Sequence, residues 1–209
     1  MRTTFTPEFN RAFAVLMGHE GGYSNSATDR GGETYKGISR VHHPAWQGWP
    51  MVDGAKAYAG FPVCLESNAL LQTLVKDFYK GTFWDHFYCD SLPLPLALEV
   101  FEQAVNLGIA RTARHLQQAC NALNRNGKLF ADLKEDGKFG RLTLQAVSLL
   151  VHRDDMDPLI KALNILQGAH YLAVMREHPE QETYARGWLS RVEITSTTMQ
   201  RHLSYGAAA

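Results

Sequence analysis

Apolar residues recur at three- and four-residue intervals in block after block of this chain, and that spacing admits little besides a helical fold. Phe9, Ala12, Phe13 and Leu16 share one face of a first helix, and Leu70, Leu71, Leu74, Val75 and Phe78 share that of a second. Leu98, Phe101 and Val105 mark a third, and Ala113, Leu116, Cys120 and Leu123 a fourth. Local signals frame these stretches. Thr6-Pro7 offers an N-cap followed by proline at the first helical position, Ser67 can cap the second helix, Pro95 opens the third, and Asn106-Leu107-Gly108 closes it. Beyond the turn-rich stretch Asn124 to Gly140, further helices are expected from near Thr143, over about Pro158 to Met175, and over about Arg191 to Leu203. Only Gly21 to Ser39, rich in Gly, Ser, Asn and Asp, breaks the pattern, and it predicts an irregular loop with a short hairpin. No low-complexity linker divides the chain, so any domain junction is expected to be compact and near residues 106 to 112.

Composition removes several classes of function. Twenty-one basic residues balance twenty-one acidic ones, so a nucleic-acid partner has no global electrostatic support. The longest apolar stretches, Ala12 to Met17 and the proline-broken Leu92 to Leu98, fall far short of the roughly 18 residues of a membrane span, so no membrane insertion is expected. The opening Met-Arg-Thr-Thr-Phe-Thr-Pro lacks the apolar core of a secretory signal, and the expectation is synthesis in the cytoplasm without a signal peptide. Cys64, Cys89 and Cys120 show no CxxC spacing and read as reduced, mostly buried small hydrophobes.

One pentapeptide invites a chemical reading. His19-Glu20-Gly21-Gly22-Tyr23 begins like a zinc-binding helix motif but carries Tyr where the second histidine belongs, and His42, His43, His86 and His115 show no compensating spacing. No metal is expected. Glu20 suits general acid chemistry better. A carboxyl at the last turn of a helix feels the negative end of the helix dipole, and partial burial also disfavours its charge; both raise its pKa. A carboxylic acid kept protonated near neutrality is what cleavage of a glycosidic bond needs, because the leaving oxygen must take a proton. The competing reading is a solvated glutamate ahead of an ordinary C-cap glycine.

Longer stretches carry a resemblance. Glu20-Gly21-Gly22-Tyr23-Ser24-Asn25, Asp29-Arg30-Gly31-Gly32-Glu33-Thr34 and Lys36-Gly37-Ile38 together resemble the signature of the glycoside hydrolase family 108 muramidases, peptidoglycan-cleaving enzymes found among phage and prophage endolysins. The likeness continues through Tyr79 with Phe83-Trp84, Val100-Phe101-Glu102 with Ala104-Val105-Asn106-Leu107-Gly108, Asp136-Gly137-Lys138-Phe139-Gly140 with Thr143, and Gly187-Trp188 with Arg191. It implies a mainly α fold: a lysozyme-like helical catalytic domain with a short β-hairpin and loop region, plus a helical peptidoglycan-binding region. The expected division is 1–110 for the muramidase domain, completed by a C-terminal helix over about 186–205, and 111–185 for the binding region. The implied activity is cofactor-free hydrolysis of the β-1,4 bond between N-acetylmuramic acid and N-acetylglucosamine, with the family's catalytic glutamate falling on Glu20. Implied too are peptidoglycan as partner, a monomeric state, and bacteriolytic action on the wall after holin-dependent release. A lytic transglycosylase and a non-catalytic wall-binding or secretion-accessory protein are the rival classes.

Asp29 and Thr34 follow Glu20 at a spacing similar to that of the acid, second carboxylate and polar strand residue of small phage lysozymes. Asp29 is equally readable as a turn-former ahead of paired glycines, and Glu33 is a spare carboxylate. Tyr23, Tyr35 and Trp84, with Trp46 and Trp49, offer flat faces for sugar rings, although aromatics in helical domains more often form the core. Asn106 either faces a cleft or caps its helix.

Overall fold

The computed structural model describes residues 4–18, 22–25 and 32–193. The chain divides into two compact units, residues 1–94 and 95–209. In order, the elements are α1 (Pro7–Met17), β1 (Tyr23–Asn25), β2 (Glu33–Tyr35), β3 (Ile38–Ser39), α2 (Trp49–Ala55), α3 (Ala69–Tyr79), α4 (Leu94–Leu107), α5 (Ile109–Leu123), α6 (Arg141–His152), α7 (Met156–Glu177) and α8 (Ala185–Leu189). The fold is mainly α with one small sheet, in agreement with the apolar spacing.

In the first unit, α1 starts where the local chemistry dictates. Thr6 Oγ1 accepts from Phe9 N at 3.2 Å, satisfying one free amide of the first turn, and Pro7 occupies a position whose N–H would have no partner. The same hydroxyl donates to Asp90 Oδ1 at 2.7 Å, fastening the helix start to a residue 84 positions away. Phe9, Ala12 and Leu16 are buried. Ser67 does not cap α3. Its hydroxyl donates to Cys64 O, and the next residue, Asn68, accepts from Leu71 N at 3.1 Å instead. A π turn over Lys80–Trp84 follows α3, closed by Asp85 N on Lys80 O, and delivers Trp84 into the core. Strand order is β1-β2-β3, all antiparallel. Lys36 (φ 45°) and Gly37 (φ 76°) form the two-residue turn between β2 and β3, the left-handed pair that a tight hairpin requires.

The second unit has its own core, in which α5, α6 and α7 pack on one another. Leu116 and Cys120 from α5, Val147 and Leu150 from α6, and Leu159 and Leu163 from α7 are buried; each Leu-sized burial stabilises the unit by about 1.5–3 kcal/mol. The Asp136-Gly137 turn docks on α5: Asp136 Oδ1 accepts from Lys138 N and Gln117 Nε2, and Gly137 N donates to Gln117 Oε1. Gly137 has φ +73°, and a Cβ there would lie 2.6 Å from Ala110 O, so both conformation and space demand glycine. α8 packs on α7 within this unit, and residues 194–205 of the expected C-terminal helix lie outside the described residues. The three cysteines are free thiols; Cys89 and Cys120 are buried, and burial pushes the Cys120 thiol up to about 12.

A polar chain crosses this core. His115, held neutral by a pKa lowered to about 4 through burial and the Arg111 charge, lies 3.1 Å from Gln103 Oε1 by its Nδ1, and Gln103 Nε2 donates to Glu99 Oε1 at 2.7 Å. Burial, and then the carboxylates of Glu102 and Glu193, push Glu99 up to about 7. The raised value destabilises the fold once the unfolded chain would ionise. The penalty is absent below about pH 4.5, grows as pH rises, and is complete above about pH 7. Glu99→Gln keeps the acceptor for Gln103 and cannot ionise. Relative to wild type, it should gain on the order of 2–3 kcal/mol between pH 4.5 and pH 8 in urea unfolding. Equal stability differences at both pH values would show that Glu99 carries no such penalty.

Candidate active site

The small sheet positions the residues expected around the acid. Glu20 falls on the connection between α1 and β1, and Asp29 on that between β1 and β2; both lie outside the described residues. The flanking strands are described. Ser24 pairs with Thr34 and Thr34 with Ser39, so three hydroxyl residues line one sheet face across all three strands. On the other face Tyr23 pairs with Tyr35, and Tyr35 with Ile38. The sheet thus brings Tyr23, Thr34 and Tyr35 together, with Thr34 at the centre of the hydroxyl row.

Tyr23 is half-buried, and its orientation is set by two contacts. Its ring meets Phe61 edge to face at 4.7 Å, and its hydroxyl donates to Glu33 Oε1 at 3.0 Å. Burial, reinforced by that carboxylate, raises the phenol pKa and keeps it a donor. Glu33 is not a spare carboxylate. Lys56 Nζ lies 2.7 Å from Oε1, and Arg40 Nε lies 2.8 Å from Oε2, so both oxygens face cations. Arg40 grips Asp53 through both terminal nitrogens, at 2.7 and 3.1 Å, and its guanidinium lies 4.3 Å from the Trp49 ring. Hydrogen bonds from Arg40 and Lys56 hold Asp53 down at about 2. This lattice of two acids and two bases, with Tyr23 at its edge, is absent from the sequence reading. The one local trace of it is Asp53 and Lys56 three residues apart at the end of α2.

Two residues expected to stack sugars do not present a face. Tyr35 is fully buried; its hydroxyl donates to Leu65 O at 3.3 Å and accepts from Gln72 Nε2 at 2.9 Å. Trp84 is also fully buried, meets Phe9 edge to face at 5.5 Å, and donates its indole N–H to Asp90 Oδ1 at 2.8 Å. Both rings serve the core of the first unit. Around them, Asp90 collects Thr6, Trp84 and Lys80. Burial alone would raise the Asp90 pKa, but these donors hold it below the usual range. Trp49, buried with its N–H on His43 O, is likewise structural. Asn106 belongs to the second unit, where its Nδ2 donates to Glu102 O and to Glu102 Oε1 at 2.9 and 2.8 Å. Glu102 also accepts from Gln167 and Arg191, tying α4 to α7 and to the residues after α8. Among the described residues, no three His, Cys, Asp or Glu side chains cluster as metal ligands would.

Residues 13–108 match the family model described as glycosyl hydrolase 108, and residues 111–193 match one described as a predicted peptidoglycan domain. Residues 13–108 form a glycosyl hydrolase 108 domain. The peptidoglycan domain follows the hydrolase part in sequence, and the two matches meet close to Gly108, the glycine between α4 and α5. The solved structure of SagA from Brucella abortus is similar at 26% identity over 88% of each chain, with a TM-score of 0.58. No curated protein matches. The two matches together support a glycosidase-class protein directed to the cell wall, with peptidoglycan as its partner. No helix among the described residues is long and apolar enough to cross a membrane.

Proposed function

We propose that the chain is an endolysin-type muramidase. It hydrolyses the β-1,4 bond between N-acetylmuramic acid and N-acetylglucosamine without a cofactor, and acts on the wall as a monomer after holin-dependent release. The observation that carries this reading is that the glycosyl hydrolase 108 match, residues 13–108, spans the whole Glu20 to Ile38 block. In this scheme Glu20 donates its proton to the leaving glycosidic oxygen. Asp29 is the second carboxylate: in an inverting route it activates water on the opposite face of the sugar, which requires the two carboxyls to stand about 6.5–9.5 Å apart. Thr34, central in the hydroxyl row, orients that water or a sugar hydroxyl. Tyr23 contacts glycan beside the acid, fixed by Glu33 and Phe61. Residues 1–110 carry the cleavage, and residues 111–185 supply wall affinity.

Digestion of purified sacculi followed by mass spectrometry tests the reaction. Hydrolysis should release fragments with reducing N-acetylmuramic ends. Fragments ending in 1,6-anhydro-muramic acid would make the chain a lytic transglycosylase, and intact glycan with bound protein would make it a wall-binding protein without turnover.

A further inference from the structure

The end of the second unit stacks three aromatic rings from core to surface. Tyr171 on α7 is buried, and its hydroxyl accepts from Gln167 Nε2 at 3.1 Å. Trp188 on α8 lies against it, ring centres 5.1 Å apart and planes 28° apart. Tyr184, which ends the six-residue 3-10 helix Pro179–Tyr184, stacks on Trp188 at 6.0 Å and 22°. Tyr184 is 56% exposed, so the column opens to solvent. A lone exposed tyrosine is ordinary. A tyrosine whose ring plane is set by a second ring, itself set by a third ring in the core, is a rigid flat face.

Gly187 adds an independent observation. It sits in the middle of α8, where glycine costs about 1 kcal/mol relative to alanine. Neither usual reason for glycine applies: its φ is not positive, and no described atom outside its own helix lies within 4 Å of where a Cβ would stand. Among the described residues, nothing occupies the place a side chain would take. Open space at the residue preceding Trp188 is what a molecule approaching the ring column needs. Glu182 and Arg186, close in sequence to Tyr184 and Trp188, are both exposed and carry an acceptor and donors.

We infer that Tyr184, Trp188 and the cleared surface at Gly187 form a carbohydrate-stacking subsite of the peptidoglycan domain, taking an N-acetylhexosamine ring of the glycan strand. The inference rests on the reading of this region as wall-binding and extends it past residue 185. A pyranose ring presents a flat array of C–H bonds that fits an aromatic face, with hydroxyl and acetamido groups at its rim for polar edges. Such a ligand is neutral, so it suits a chain with no excess charge.

The test uses the full chain carrying Glu20→Gln, so that sacculi survive the binding measurement. In that background, Tyr184→Ala and Gly187→Leu should each lower affinity for sacculi about tenfold in co-sedimentation, one by removing the face and the other by covering it. Tyr184→Phe should bind like the parent, all three should keep the parent's helical circular dichroism, and Gly187→Leu should melt no lower than the parent because it relieves the helical cost of glycine. Soluble N-acetylglucosamine oligomers should compete. If the parent sediments and both Tyr184→Ala and Gly187→Leu sediment equally well, the subsite is overturned while wall binding stands. Competition by glycan-free stem peptide instead of by the oligomer would also overturn it. A parent that stays in the supernatant removes the wall-binding reading and the subsite with it.

Discussion

Glu20→Gln is expected to fold, to bind sacculi, and to lose about 10²-fold or more in kcat. Glutamine keeps the size of the side chain and a hydrogen-bond donor but has no proton to give. Cleavage of a glycosidic bond leaves an alkoxide unless the oxygen is protonated as the bond breaks, so the loss falls on the chemical step and not on affinity. The pH profile supplies a second readout. A general acid works in its protonated form, so the wild-type rate should fall as pH rises through the carboxyl's pKa. The residual rate of the variant should lack that alkaline limb. Clearing of sacculi by Glu20→Gln at a rate close to wild type would overturn the mechanism.

How much of this was readable beforehand depends on the range of the interactions involved. The start of α1 was legible because Thr6 acts on Phe9, three residues on, and the turn at Lys36-Gly37 because glycine punctuates it. The α3 cap was displaced by one residue because Ser67 and Asn68 are both cap-competent, and only the position of Cys64 O decides which side chain turns toward the helix. Helix α2 was missed. It is seven residues long, contains Pro50 and Gly54, and is held by burial of Trp49 and Val52, which no propensity announces. The family resemblance was legible in the Glu20 to Ile38 block, which lies within the residues 13–108 that match the glycosyl hydrolase 108 model. It carried no information on the two partners of Glu33, namely Arg40 and Lys56, which follow β3 and α2. Nor does residue type separate a half-open ring from a core ring: Tyr23 and Tyr35 are cross-strand neighbours, yet one is half-buried and the other fully enclosed.

Trp84 sharpens that last distinction, because core and sugar-binding roles predict opposite experimental signatures. Its side chain is fully enclosed, packed edge to face on Phe9, and its N–H satisfies Asp90. Trp84→Ala should therefore cost about 3–5 kcal/mol, the usual range for deleting a large buried aromatic, against a total domain stability of about 5–15 kcal/mol. Part of that loss is the cavity beside Phe9, and part is an Asp90 left with Thr6 and Lys80 as donors. Trp84→Phe should cost less, since an aromatic ring still fills much of the space. Urea unfolding measures both, and the midpoint should fall in the order wild type, Phe, Ala. Activity per folded molecule should then be little changed in the Phe variant, because no ring face is lost to substrate. A Trp84→Ala variant that kept the wild-type midpoint while losing affinity for sacculi would put the indole in contact with glycan and defeat the assignment to the core.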